Sequence, residues 1–205
     1  MTLSVTGLHH AYGRRQVLRG VSFQVPEGAL VGVVGENGAG KTTLLRILCG
    51  ELTPTGGAVA HDGRLGYCPQ QAVLNEAFTV AQHLRYFQVA YGLPDLRYAH
   101  ELMEILNFTD YLPERVGHLS GGTRQKLNLT LAVMHDPDVL LLDEPYQGFD
   151  WETYLRFWDL AAQLRSRGRS ALVISHLAHD ADRLDHLHHL RAGVLRQPAA
   201  AAAGD

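Results

Sequence analysis

Residues 35–42 read Gly-Glu-Asn-Gly-Ala-Gly-Lys-Thr, a complete G-x-x-x-x-G-K-[ST] loop. It restricts the fold more than any other stretch, because such a loop works only where a strand delivers it and a helix receives it. Both neighbours are present. Residues 29–34 are apolar around Gly32 and read as a buried strand. Residues 41–50 place Leu44, Leu45, Ile47 and Leu48 on one helical face and stop at Gly50. Gly35, Gly38 and Gly40 permit the backbone angles that aim N–H groups, with that of Asn37, at phosphate oxygens. Lys41 adds positive charge, Thr42 is suited to ligate Mg²⁺, and Thr43 is placed for a further phosphate contact. The fold expected is therefore α/β, with this loop at the carboxyl end of a parallel strand.

Two further motifs follow. Residues 139–142 are continuously apolar, as a parallel strand buried on both faces should be, and end in Asp143 and Glu144. A strand end in an open α/β sheet faces the ligand crevice. Asp143 is suited to the Mg²⁺ shell, and Glu144 to polarising an attacking water as general base. Between loop and strand lies Leu119-Ser120-Gly121-Gly122, a weak signal as a tetrapeptide. It precedes a helical pattern over residues 121–135, so the Ser120 hydroxyl and the Gly121 and Gly122 amides form a second anion-facing helix N-terminus.

The rest of the chain supports this arrangement. Residues 3–8 and 17–25 alternate as half-buried strands, and residues 58–60 and 65–68 read as short strands. The centre then turns helical. Thr79-x-x-Gln82 fits a capping box before a helix, a second helix covers about residues 97–106, and residues 107–118 form a loop. Residues 72–136 thus read as a helical lobe inserted into the α/β core. A helix over residues 151–167 and a buried strand over 171–175 follow. The alanine-rich residues 197–205 read as a disordered tail.

Composition excludes several classes. The chain has 205 residues, 46% hydrophobic and 19% charged, with a formal net charge of -3. There is no basic footprint for nucleic acid, and none is expected as a partner. Cys49 and Cys68 are too few for a disulfide framework. The N-terminus lacks a secretory pattern, and no apolar run approaches the roughly 20 residues that span a bilayer. Any membrane role is expected to come through a partner. His176, His179, His186, His188 and His189 crowd the C-terminal region, but no cysteine or carboxylate set completes a structural zinc site. They read as a polar face on a last helix.

With these motifs in this order, the chain resembles the nucleotide-binding subunits of ATP-binding cassette (ABC) transporters over roughly residues 3–196. The resemblance implies a P-loop NTPase (RecA-like) core with an N-terminal antiparallel β subdomain and an inserted helical subdomain. It implies a single nucleotide-binding domain over residues 1–196. Residues 35–42 match the Walker A loop, 139–143 the Walker B strand, and 119–122 the signature motif. In that family the signature of one subunit faces the phosphate loop of another, so a head-to-tail dimer is implied, as a homodimer or with a second cassette. Tyr12 matches the aromatic residue that stacks on adenine. Gln70 matches the Q-loop that links the Mg²⁺ site to the helical lobe. His176 matches the switch histidine at the γ-phosphate, and Gly148-Phe149-Asp150 the D-loop, where Asp150 also caps the next helix. Lys41, Glu144 and His176 would be catalytic, with Thr42, Gln70 and Asp143 at Mg²⁺.

The sequence departs from the pattern at Thr123, where the signature usually has glutamine, and in a short stretch between Gly57 and Gly66. The helical lobe and the LSGGTRQKL run are most similar to separately encoded exporters of the ABC-2 type. The resemblance implies ATP hydrolysis with Mg²⁺, a separate transmembrane permease, and a cytoplasmic location peripheral to the membrane. The alternative is a soluble cassette ATPase acting as a regulatory or assembly switch.

Overall fold

A computed structural model of the chain describes residues 2–71, 73–175 and 180–196. His176, His179 and the tail at 197–205 lie outside the described residues. The described chain builds two sheets. β1 (Leu3–Tyr12), β2 (Arg15–Val25) and β4 (Gly56–His61) form an antiparallel sheet in the order β2-β1-β4. The larger sheet has the order β5-β6-β7-β3-β8-β9, from β5 (Leu65–Cys68), β6 (Val139–Asp143), β7 (Ser170–Ser175), β3 (Leu30–Val34), β8 (His186–Arg191) and β9 (Val194–Arg196). Its pairings are parallel except the closing hairpin β8–β9.

The larger sheet separates two hydrophobic cores. Val139 and Leu141 of β6 and Leu172 and Ile174 of β7 point to one side, where they pack with Leu44, Leu45, Ile47 and Leu48 of α1 (Lys41–Leu48) and with the antiparallel sheet. Leu140, Leu142, Ala171 and Val173 point to the other side. There they meet α2 (Val80–Tyr91), α3 (Arg97–Ile105), α4 (Gly121–Val133) and α5 (Trp151–Ser166). This double burial explains the unbroken apolar runs of β6 and β7.

The helical layer begins as its sequence signals require. Thr79 accepts a hydrogen bond from the Gln82 amide at 3.1 Å, while the Gln82 side chain accepts one from the Thr79 amide at 2.8 Å. These reciprocal bonds satisfy donors left open at a helix start. Gly92, with φ 65°, closes α2. Thr79→Ala is expected to lower unfolding stability by about 1 kcal/mol, read as a fall in urea midpoint at unchanged m value.

Two expectations are corrected. Among the described residues, His186, His188 and His189 lie in a strand, not on the polar face of a helix. Parallel pairing with β3 claims residues 186–189, and the alternation that matters buries His188 and Leu190 while His186 and His189 stay exposed. His188 sits 5.7 Å from the Phe23 ring, and burial first, then the charges of His186 and His189, push its pKa down. The first strand also runs beyond residue 8 to Tyr12, because register shifts let the antiparallel pairing continue past Gly7.

Candidate functional site

β3 ends at Val34, and residues 35–40 wrap to the start of α1. Gly40 adopts φ 110° and Gly38 φ 81°, the left-handed angles that only glycine takes without strain. Gly35 serves a different need: a Cβ there would lie 2.3 Å from the Leu190 carbonyl oxygen, so it lets the loop lie against β8. Lys41 is buried, and its Nζ donates to the carbonyls of Gly35 at 2.5 Å and Glu36 at 3.2 Å. The ammonium is thereby held over the loop, in reach of an anion cradled by it.

A cleft of about 270 Å³ opens above this loop. Asn37, Gly38, Gly40, Lys41, Thr42 and Thr43 form its floor. Asp143 and Glu144 enter from the end of β6, Gln70 from the turn after β5, and Tyr12 from the β1–β2 hairpin. Residues distant in sequence thus converge on one crevice at the carboxyl ends of parallel strands. Arg15 and Val17 also line it and were not anticipated from sequence. The signal was available in the hairpin, where Tyr12 pairs directly with Arg15.

The acidic pair is electrostatically loaded. Burial first, then the adjacent Glu144 charge, pushes Asp143 up to about 6, while Lys41 and a hydrogen bond from the Thr42 hydroxyl pull it back. A divalent cation beside Thr42 and Asp143 would relieve that excess negative charge, so the donor set fits Mg²⁺. Glu144 is buried and has φ 49°, a left-handed backbone that costs of order 1–3 kcal/mol for a residue with a side chain. Two bonds hold it there: its amide donates to the Ile174 carbonyl at 2.9 Å, and its carbonyl accepts from Gln147 at 3.1 Å. Gln70 Nε2 meets Gln147 Oε1 at 3.4 Å, which joins its turn to the one after Glu144.

Tyr12 is 47% exposed and stands edge-to-face with the His10 ring at 4.7 Å. One edge of the platform is braced, and a ring face remains available to a planar ligand.

Ser120, Gly121 and Gly122 do not line this cleft. Ser120 caps α4: its Oγ accepts from the Thr123 amide at 3.1 Å and lies 2.9 Å from the Thr123 hydroxyl. Thr123 therefore supports the cap from the position where glutamine was expected. A Cβ on Gly122 would lie 2.4 Å from the Gly148 carbonyl, so the first turn of α4 packs directly on the loop before Asp150. Asp150 caps α5 through a 2.7 Å bond from the Thr153 amide. Beyond it, the buried Asp180 carboxylate accepts hydrogen bonds from Tyr146, at 2.7 Å, and Tyr154.

Comparison with known proteins agrees with this geometry. The family model described as ABC transporter matches residues 18–147. The Nod factor export ATP-binding protein I of Ralstonia nicotianae is 36% identical over 197 residues, covering 89% of this chain and 61% of that protein. The chain thus spans about three-fifths of the length of such relatives. An uncharacterized ABC transporter ATP-binding protein of Methanocaldococcus jannaschii is 32% identical, with 89% of this chain and 71% of that protein covered. Among solved structures, an ATP-binding subunit of an ABC transporter superposes with a TM-score of 0.90 at 27% identity, covering 96% of this chain and 90% of that one. A bacterial Atm1-family ABC exporter with ATP bound gives 0.84 at 25% identity, covering 96% and 38%.

Proposed function

The chain belongs to the ABC transporter family, and from that premise we propose that it binds and hydrolyses ATP as the nucleotide-binding subunit of an exporter. Residues 1–196 form one nucleotide-binding domain, with its helical subdomain at about 72–136. The observation that carries the reading is the strained Glu144, held at the end of β6 beside Asp143 and facing the phosphate loop.

The side chains divide the work. The loop amides and Lys41 bind the β- and γ-phosphates, and Tyr12 stacks on the adenine. Thr42 and Asp143, with Gln70, would hold Mg²⁺, which when bound neutralises charge across the phosphate oxygens. Glu144 accepts a proton from the attacking water, and the family pattern assigns His176, outside the described residues, the role of γ-phosphate contact. Ser120, Gly121 and Gly122 serve the nucleotide of a second subunit, so that ATP draws two cassettes together and hydrolysis lets them part. Their position outside the chain's own cleft supports this division.

Among the described residues no helix is long and apolar enough to cross a membrane. The membrane-spanning partner is a separate permease, and the chain acts at its cytoplasmic face. Phe78, Tyr86 and Val89 leave an exposed apolar strip on and beside α2, which supports docking of that partner on the helical layer. The export direction rests on the Nod factor relatives.

Phosphate release from purified protein with Mg-ATP, and recovery of a permease on affinity purification from membranes, test this reading. A chain that binds ATP and never hydrolyses it would overturn it. Tyr12→Ala is expected to weaken ATP binding about tenfold, a typical loss for an aromatic platform under a base, with Tyr12→Phe near wild type by calorimetric titration.

A further inference from the structure

We propose that Gln125 and Asn128 are positioning residues for hydrolysis: from the middle of α4 they fix the two turns that carry Glu144 and Gln70. The proposal rests on the hydrolytic reading above and adds residues to it.

α4 is lined by apolar side chains, with Leu127, Leu129, Leu131 and Val133 all buried. Two amide side chains share that environment, Gln125 at 7% exposure and Asn128 at 5%. Polar groups there are costly unless bonded, and these are bonded in one chain. Asn128 Nδ2 donates to the Pro69 carbonyl at 2.7 Å and to Gln125 Oε1 at 3.3 Å. Gln125 Nε2 donates in turn to the Pro145 carbonyl at 3.2 Å. Spaced i, i+3, the two side chains lie on one helix face.

The acceptors identify the purpose. Pro145 directly follows Glu144, and Pro69 directly precedes Gln70. Proline has no N–H, so neither residue can be tied down by its own amide, and the carbonyl is the available backbone handle. The helix that holds both handles also carries Ser120 at its N-terminus, about 7–8 Å along the axis from Gln125. The cap that meets the second subunit's nucleotide and the turns that shape this chain's own cleft are therefore joined through α4. A shift of the helix is passed to Glu144 and Gln70 through hydrogen bonds with little slack.

A merely structural role makes a different prediction. Gln125→Met with Asn128→Leu keeps the apolar packing of α4 but takes the donors from the Pro69 and Pro145 carbonyls. It is expected to fold, with a melting midpoint lowered by several degrees and a melt as cooperative as wild type, and assays are run well below that midpoint. Its kcat for ATP should fall tenfold or more, with KM within about twofold. Each single variant should lose nearly as much as the pair, because the two act as a unit. In nucleotide-free protein, hydrogen exchange at the Glu144 and Gln147 amides should accelerate at least tenfold while β6 and α1 are unaffected. Wild-type kcat in the double variant, or unchanged exchange at those amides, overturns the proposal. Should the wild-type chain itself not hydrolyse ATP, the functional reading fails, and the exchange measurement alone still decides whether α4 positions these turns.

Discussion

Glu144→Gln is expected to cut ATP turnover by about two orders of magnitude or more, the usual scale for loss of a general base, while ATP binding holds. Glutamine has the shape of glutamate and can occupy the same turn, which backbone bonds to Ile174 and Gln147 help to fix. It cannot accept the proton. Binding should survive, because Lys41, Thr42 and Asp143 are untouched. The neutral side chain also relieves repulsion of the γ-phosphate and lowers the pKa of Asp143, because the Glu144 charge is one of the two causes that raise it. Binding without turnover should trap an ATP-bound dimer, visible as a doubled mass by light scattering with ATP and absent with ADP. Wild-type phosphate release in this variant would place the base elsewhere.

The second large effect is expected at Gly122, and its neighbour provides the control. An added methyl at Gly122 would lie 2.4 Å from the Gly148 carbonyl, a contact that backbone must move to relieve. Both movable parts matter, for one is the cap of α4 and the other the loop leading to Asp150. Gly122→Ala should cost about 1–3 kcal/mol of stability, the scale for overpacking, and reduce turnover at least tenfold. Gly121 has no atom within 4 Å of the same added group, and alanine suits a helix better than glycine. Gly121→Ala should therefore fold at least as well as wild type. If the second cassette's phosphates approach this turn, the same variant should still lose ATP-driven dimerisation. Thermal melting separates the two effects. Equal melting points for the two variants would remove the packing argument.

What could be read from sequence was local. The phosphate loop, the Thr79 capping box, and the Ser120 and Asp150 caps each depend on residues within a turn of one another. What could not be read depends on partners far along the chain. The histidine stretch became a strand because β3 was there to pair with it. Glu144 gave no sign of its left-handed backbone, which is supported by a bond to the Ile174 carbonyl on the neighbouring strand. Nothing in the sequence around Gln125 and Asn128 marks them, since the carbonyls they hold lie 20 and 59 residues away. Thr123 stood out as a departure from the family pattern, and only its 2.9 Å approach to Ser120 explains how the cap tolerates it.

The sheet that separates the two cores has a mechanical consequence. Successive residues of β6 are anchored in opposite compartments, so neither compartment needs the other's side chains to stay packed. The phosphate loop and α1 are mounted on one side, like the stator of a motor. The helices that carry Ser120 and the exposed α2 strip are mounted on the other, in the place of its rotor. A force delivered to the helices then leaves the packing beneath the phosphate loop at rest and reaches the cleft through the Pro69 and Pro145 turns that α4 holds.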